Sequence, residues 1–186
     1  MTAAAAGSVR PVLHADGLFR ADRWHLLRDA DGDGAALAQT GAPTIVPLAH
    51  WLELQHAEAA ARAPHAAALA LWLAPADDPR VLAPHLDRLP LVAIDFPKMA
   101  DGRGFSLAVT LRRHLGYRGE LRAVGEVLVD QLFMLRRVGF SSFTLRADQT
   151  VDDALRALAR YSAVYQSSVD GAVPAWRRRS RAGACA

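Results

Sequence analysis

The chain of 186 residues is 52% hydrophobic and 22% charged, a composition typical of a soluble globular protein built as one domain. Its formal net charge of +3 is exceeded by the arginines of the carboxyl-terminal stretch alone, so the folded part should lack the basic stripe of a nucleic-acid-binding protein. No apolar run reaches the roughly 18 residues of a membrane span, and no secretory signal is evident, so we expect a cytoplasmic protein without a membrane partner.

The amino-terminal part is predicted to contain a β-hairpin and then an acidic turn. We expect residues 1–10 to be disordered. The hairpin spans Val12 to Leu27 around the turn dipeptide Asp16-Gly17. The turn at 29–34 matches the first half of a calcium-binding loop, but Thr40 stands where such a loop needs glutamate. We therefore interpret it as a flexible acidic turn.

Beyond this turn, apolar stretches alternate with helical ones. The predicted strands are 68–73, 91–96, 120–124 and 141–145, and the predicted helices are 48–62, 79–86, 106–115, 127–138 and 151–162. Such alternation indicates crossover units and a parallel sheet. Two of the helices end with basic residues followed by Gly116 or Gly139, a pattern typical of left-handed helix termination.

The predicted fold is α/β, with repeated βα units that form a mostly parallel sheet preceded by the hairpin. Four units are about half of a (βα)₈ barrel, which needs about 250 residues, so we expect an open three-layer sheet or a half-barrel. The single domain would span 11–168, with the hairpin and acidic turn at 11–40 and the βα units at 41–168. Residues 169–186 would form a basic flexible tail.

The sequence contains no pattern that predicts a metal or a cofactor. Cys185 is the single cysteine, which excludes an internal disulfide, a cysteine-ligated iron–sulfur cluster and a four-cysteine zinc site. His50 and His56 would diverge by about 120° around a helix, so we interpret them as residues of a solvated face. Gly102 and Gly104 lack the third small residue of the dinucleotide fingerprint.

Charged residues follow the predicted strands at the edge where parallel sheets bind their ligands. One strand carries Asp95 at its end and opens a loop with Lys98, Asp101 and Arg103, and the next strand ends before Glu126. We expect these side chains to converge. Asp95 paired with Lys98 or Arg103 could do acid–base work, bind an anion, or form an ion pair that only fixes the loop.

The helix starts beyond these strands add polar residues to the candidate site. Ser106 could cap the helix that follows the loop, and the amide groups there would favour a negative ligand beside Arg103. Asp130 and Gln131, together with Glu126, lie near the positive end of the next helix, where a capping role is expected.

Several motifs in this region resemble a known bacterial family. They are Ile94-Asp-Phe-Pro-Lys98, Asp101-Gly-Arg-Gly-Phe-Ser106, Gly119-Glu-Leu-Arg-Ala-Val-Gly-Glu-Val-Leu128, Asp130-Gln-Leu-Phe133 and Arg137-Val-Gly-Phe140. Together they are similar to the domain-of-unknown-function 934 family over roughly 90 to 145. Asp95, Lys98, Asp101, Arg103, Arg122 and Asp130 match the polar residues of the family pattern. Val138 stands where the family often has a cysteine, so the resemblance implies no thiol mechanism here.

The resemblance implies a role near assimilatory sulfite reduction, because members of the family accompany sulfite reductase and are described as oxidoreductases. We therefore expect an accessory protein that binds sulfite reductase or its electron donor and carries no cofactor of its own. An enzyme that binds a small anion at the loop of Lys98 and Arg103 is the alternative, as is a non-catalytic interaction module that uses the arginine tail. The sequence leaves the oligomeric state open.

Overall fold

The computed structural model describes residues 11–28, 42–61 and 68–182. The strands are β1 (Pro11–His14), β2 (Phe19–Ala21), β3 (His25–Leu26), β4 (Thr44–Pro47), β5 (Leu69–Leu73), β6 (Leu91–Phe96), β7 (Glu120–Gly125) and β8 (Ser142–Phe143). The α-helices are α1 (Leu48–Ala61), α2 (Arg103–Val109), α3 (Leu132–Arg137), α4 (Val151–Ala159) and α5 (Ala175–Ala182). The other helical segments described are 3₁₀ at Pro79–Arg88 and Val129–Gln131 and π-type at Thr110–His114.

All of these strands belong to one sheet, in the order β2-β1-β8-β7-β6-β5-β4-β3. From β3 to β8 the neighbours in space are also neighbours in the chain, and every pair among them is parallel. Right-handed crossovers between sequential strands place the connecting helices on one face and curl the sheet. The predicted α/β fold is confirmed, and of the two predicted forms the structure is the half-barrel.

The predicted amino-terminal hairpin is confirmed only for its first part. β1 and β2 pair antiparallel around Gly17, whose φ of +83° suits the tight turn. The chain then leaves the hairpin, and β3 pairs with β4 at the opposite edge of the sheet. The extension of the hairpin to Leu27 was therefore wrong, because β3 joins the parallel part of the sheet.

The larger apolar core lies between the sheet and its helices. Along β6, Val92, Ile94 and Phe96 join this core, together with residues of every α-helix from α1 to α4. The alternate residues Leu91 and Ala93 join a smaller cluster that includes Trp24 and Trp72 and no helical residue. Because successive side chains of a strand point to opposite faces, the smaller cluster marks the inner face of the half-barrel.

The helix that follows β6 packs closely on that strand because of a glycine. A Cβ added at Gly104 would lie 2.6 Å from Cζ of the buried Phe96 ring. Gly104 therefore allows α2 to approach the sheet, which explains one of the two glycines of the loop without a phosphate ligand. Gly116 and Gly139 have φ values of +73° and +103°, so the predicted left-handed helix ends are confirmed.

Three predictions concern the two ends of the chain and its acidic turn. The segment 1–10 that was predicted to be disordered, the predicted acidic turn at 29–34 and Cys185 lie outside the described residues. The predicted basic tail contains α5, where Nε of Arg178 donates to the carbonyl of Val173 at 3.1 Å. Within the described part of the chain, no helix combines the length and the apolar character that a membrane crossing needs.

Candidate functional site

The carboxyl ends of β6 and β7 bring the predicted charged residues to one edge of the sheet. Asp95 is paired in register with Val124, and the amide of Glu126 donates to the carbonyl of Phe96 at 2.7 Å. The side-chain amide of Gln131 also donates to the carbonyl of Met99 at 3.0 Å. The loop after β6 is thus held against the turn that follows β7.

Asp95 pairs with neither of the predicted partners, Lys98 and Arg103. Its carboxylate is buried on the inner face and accepts a hydrogen bond of 2.5 Å from Nη1 of Arg28. The Arg28 guanidinium also lies 5.9 Å from the centre of the Trp72 ring. The side chain of Arg28, which follows β3, therefore extends past Trp72 of β5 and neutralises the Asp95 carboxylate at the end of β6.

The loop after β6 contains a second, local ion pair. The Arg103 guanidinium donates to both carboxylate oxygens of Asp101, at 3.0 and 2.7 Å, and the Arg103 amide donates to the same side chain at 3.1 Å. These donors lower the pKa of Asp101 to about 2. Asp101 therefore stays ionised at neutral pH, where a general acid or base needs a pKa near 7.

Two other predicted residues of this loop region are exposed. Lys98 is exposed, and among the described residues its ammonium group makes no hydrogen bond or ion pair. Ser106 is the fourth residue of α2, which begins at Arg103, so its predicted role as a helix cap is wrong. The cause is that Asp101 accepts from the first amide of the helix and starts it earlier.

Glu126 takes part in a surface ion-pair chain rather than in a helix cap. Nη1 of Arg146 donates to Glu126 at 3.0 Å, and Nε and Nη2 donate to Asp148 at 2.7 and 2.6 Å. The two carboxylates raise the pKa of Arg146, and the guanidinium in turn lowers the pKa of Asp148. These connected ion pairs link the end of β7 to the loop after β8.

Arg122 lies in strand β7, away from the loops at the carboxyl edge. Its side chain is buried on the inner face and donates to both carboxylate oxygens of Asp22, at 2.8 and 2.9 Å. It also donates to Glu120 at 2.8 Å, and Glu120 accepts from the Ser142 hydroxyl at 2.6 Å. Arg122 thus joins the hairpin edge to β7 and β8 inside the half-barrel.

Asp130 is exposed and lies on the wall of a groove that sequence patterns did not predict. The groove of about 560 Å³ runs between α3 and residues 160–174, which we call the strap. The Phe133 and Tyr161 rings contact each other at 4.7 Å between centroids on its wall. Among the large hydrophobic residues of its lining, Tyr165 is the most exposed, with 77% of its surface accessible, and Met134 is half exposed.

Arg137 holds the strap beside the groove. Its buried guanidinium donates to the carbonyl of Gln166, and its Nη1 lies 3.5 Å from the Asp170 carboxylate. The Asp170 amide returns a hydrogen bond of 3.2 Å to the Arg137 carbonyl. The strap then leads into α5 through a hydrogen bond from Ala175 to Val164 at 2.7 Å.

Cationic groups accompany the exposed aromatic rings of this region. The guanidinium of Arg136 lies 6.0 Å from the Phe133 ring, and that of Arg160 lies 5.8 Å from the Tyr161 ring. At the start of α5, Arg177 lies 5.0 Å from the half-exposed Trp176 ring. The groove and its surroundings therefore offer aromatic surface under positive charge.

Several of these ion-pair partners were not predicted from the sequence. The sequence features that could have indicated them differ from one partner to the next. Arg146 directly follows the predicted strand 141–145, so the rule that selected Asp95 and Glu126 also points to it, although it was not included in the predicted site. Polar residues at every second position of β7 could have indicated the inner-face cluster of Arg122. Nothing local to Arg28 indicates a partner 67 residues away.

Comparison with known proteins identifies a family for most of the chain. A family model described as a bacterial protein of unknown function, DUF934, matches residues 70–176. This range contains the loop after β6, the groove along α3 and the strap. No curated protein and no solved structure matches the chain.

Proposed function

The chain belongs to the DUF934 family of bacterial proteins, and we propose that it is an accessory protein of assimilatory sulfite reduction. It binds sulfite reductase or the electron donor of that enzyme and assists the reduction by this contact. The association of the family with sulfite reduction suggests the pathway. The groove between α3 and the strap is the single observation that carries the binding role.

The groove has the composition of a docking surface. Met134, Tyr161 and Tyr165 expose 51%, 52% and 77% of their surface, although these side chains are large enough to fill a core. Aromatic residues, methionine and arginine are the side chains enriched in protein interfaces. Apolar surface collected in one groove, rather than scattered singly, marks an interaction site.

Charge complementarity defines the partner's side of this contact. Arg136 and Arg160 lie over the aromatic rings of the groove, and no carboxylate is hydrogen-bonded to either of them within the described residues. A partner segment with an apolar anchor and acidic neighbours would fill the groove and neutralise these arginines. Arginine and aromatic residues in such a setting supply most of the binding energy of an interface.

The charges at the carboxyl edge support a binding role more than an acid–base role. Asp95, Asp101 and Glu126 each accept hydrogen bonds from an arginine. A guanidinium stays protonated at all accessible pH values, so none of these arginines can exchange a proton with a substrate. These three carboxylates of the edge are thus compensated by arginines.

The growth phenotype of variants tests this function. Deletion of the gene should impair growth on sulfate as the sole sulfur source and leave growth on cysteine unchanged. The double variant Tyr161→Ser/Tyr165→Ser should fail to complement the deletion. The matched control Leu18→Ser/Val81→Ser removes two exposed apolar residues elsewhere and should complement fully. Normal growth of the deletion strain on sulfate would contradict the proposed function.

An enzyme that binds a small anion at the loop after β6 is the second candidate. The exposed Lys98 ammonium, which makes no ion pair within the described part of the chain, is the observation that favours it. The double variant Lys98→Ala/Arg103→Ala should then lose complementation while still binding sulfite reductase. Full complementation by this variant would exclude the catalytic alternative and leave the binding role intact.

A non-catalytic module that binds through its arginine-rich end is distinguished by truncation. Removal of residues 176–186 deletes most of α5 and the end of the chain but leaves the groove between α3 and the strap. If the end of the chain makes the contact, the truncated protein should lose binding to sulfite reductase. If the groove makes the contact with sulfite reductase, the truncated protein should still bind. Its affinity should depend less on salt concentration, because fewer arginines contribute to the attraction.

A further inference from the structure

A separate cleft on the helical side of the sheet is lined by arginines. It has a volume of about 380 Å³ and lies where the π-type segment meets the turn before β7. Its walls include Arg112, Arg113, Arg118, Tyr117 and Ser168, and none of the described residues contributes a carboxylate to them. The cleft is therefore a concave surface whose charged side chains, among the described residues, are all positive.

Arg112 is fixed in this cleft by uncharged acceptors alone. Its Nε donates to the Gly139 carbonyl at 2.9 Å, and its Nη1 donates to the carbonyls of Tyr117 and Gly119 at 2.8 Å each. The guanidinium also lies 5.3 Å from the centre of the Tyr117 ring. Within the described residues its Nη2 makes no hydrogen bond, so the two N–H groups of this nitrogen in an oriented guanidinium remain available.

The described residues do not compensate the charge of the cleft. Burial lowers the pKa of Arg112, and the positive charge of Arg118 lowers it further. Arg113 and Arg118 are exposed and form no ion pair with the described residues. Elsewhere in the molecule Arg20, Arg103 and Arg146 each bind a carboxylate. A bound anion would supply the missing counter-charge.

We propose that this arginine cleft binds the oxyanion group of a small molecule, of the phosphate or sulfate class. The planar guanidinium presents paired donors that match the geometry of such oxygens. Arg112 provides the oriented N–H groups of its Nη2, Arg113 and Arg118 provide exposed positive charge at the rim, and Ser168 also lines the cleft. The volume of the cleft is large enough for one oxyanion group and for the rest of a small molecule that carries it.

Titration of the full chain with inorganic phosphate and inorganic sulfate tests this proposal. Calorimetry should detect saturable binding of at least one of them, with chloride at matched ionic strength as the comparison. A preference for one ion identifies the source of the oxyanion group, and binding of both supports their shared chemistry. A response to chloride equal to that of both oxyanions would overturn the proposal.

Variants at the rim locate the binding. Arg113→Ala/Arg118→Ala should weaken oxyanion binding by about tenfold or more, because charged hydrogen bonds are lost. Both residues are exposed, so the fold should persist. The control Arg23→Ala/Arg156→Ala removes the same charge from two exposed positions outside the cleft lining and should retain the wild-type affinity. Equal affinity in the rim variant would overturn the proposal.

A measurement on the unmodified chain makes the test independent of the variants. The side-chain Nε resonance of Arg112 should shift on addition of the bound oxyanion and stay constant on addition of chloride. Because Arg112 is held by three carbonyls, the shift reports on the cleft itself. A constant Arg112 resonance under saturating oxyanion would contradict the assignment of the site.

Discussion

At the scale of single residues, arginines decide the state of the charged groups in this protein. The Arg103 guanidinium holds Asp101 ionised, and Arg28 reaches the buried Asp95 across the Trp72 ring. Proximity in the chain makes the first pair predictable. The second pair depends on which strands become neighbours, so no local pattern indicates it.

The pair of Asp101 and Arg103 predicts a specific titration. The pKa of Asp101 is about 2 in the folded chain, whereas an unfolded aspartate has a pKa of about 3.9. The pair therefore stabilises the fold fully above pH 4 or so, and this contribution is lost as the pH falls toward 2. Carboxyl resonances should show the low pKa in the wild type and a pKa near 4 in Arg103→Ala. An unchanged Asp101 pKa in the variant would contradict the assigned cause.

The buried Arg122 predicts a loss of stability. In Arg122→Met the carboxylates of Asp22 and Glu120 lose their shared partner, which should cost about 3 kcal/mol, the lower end for broken buried pairs because both keep some contact with solvent. Thermal unfolding should shift down by about 6–12 °C. Arg20→Ala, which breaks an exposed pair with Asp16, should change the midpoint little. Equal midpoints for the two variants would contradict this account.

At the scale of elements, the sequence predicts best where an element is long and buried. β6 was predicted with the observed bounds, because Leu91–Phe96 is a run of apolar residues interrupted by Asp95 alone and is buried throughout. β3 was not separated from the hairpin, since two residues carry no periodicity. The start of α2 was placed three residues late, because the Asp101 side chain rather than Ser106 receives its first amide.

The packing of α2 on β6 predicts unequal effects on stability for alanine substitutions at two nearby glycines. Gly104→Ala would press a Cβ against the buried Phe96 ring and should destabilise the fold by about 1–3 kcal/mol. Gly102→Ala is the control, because a Cβ there meets nothing within 4 Å. Its effect should stay within about 0.5 kcal/mol. Denaturant unfolding measures both, and similar stability of the two variants would contradict the packing described.

At the scale of the whole molecule, the half-barrel has two different charged surfaces. At one edge the carboxylates are paired with arginines, and on the helical side arginines lie beside exposed aromatic rings without a carboxylate partner among the described residues. At the carboxyl edge, the inner-face and loop carboxylates Asp95, Asp101 and Glu126 each have an arginine partner. On the helical side, the groove beside the strap exposes aromatic rings under positive charge. The alternation of strands and helices made the fold predictable. The strap has no such periodicity, so the groove could not be foreseen.

The binding of purified chain to purified sulfite reductase, and to its electron donor, tests the central claim most directly. Calorimetry should show saturable binding to one of them, which Tyr161→Ser/Tyr165→Ser weakens about tenfold or more, as expected for interface tyrosines. Leu18→Ser/Val81→Ser should bind like the wild type. Absence of binding to both proteins up to about 100 μM, or equal affinity of the groove variant and the wild type, would contradict the account.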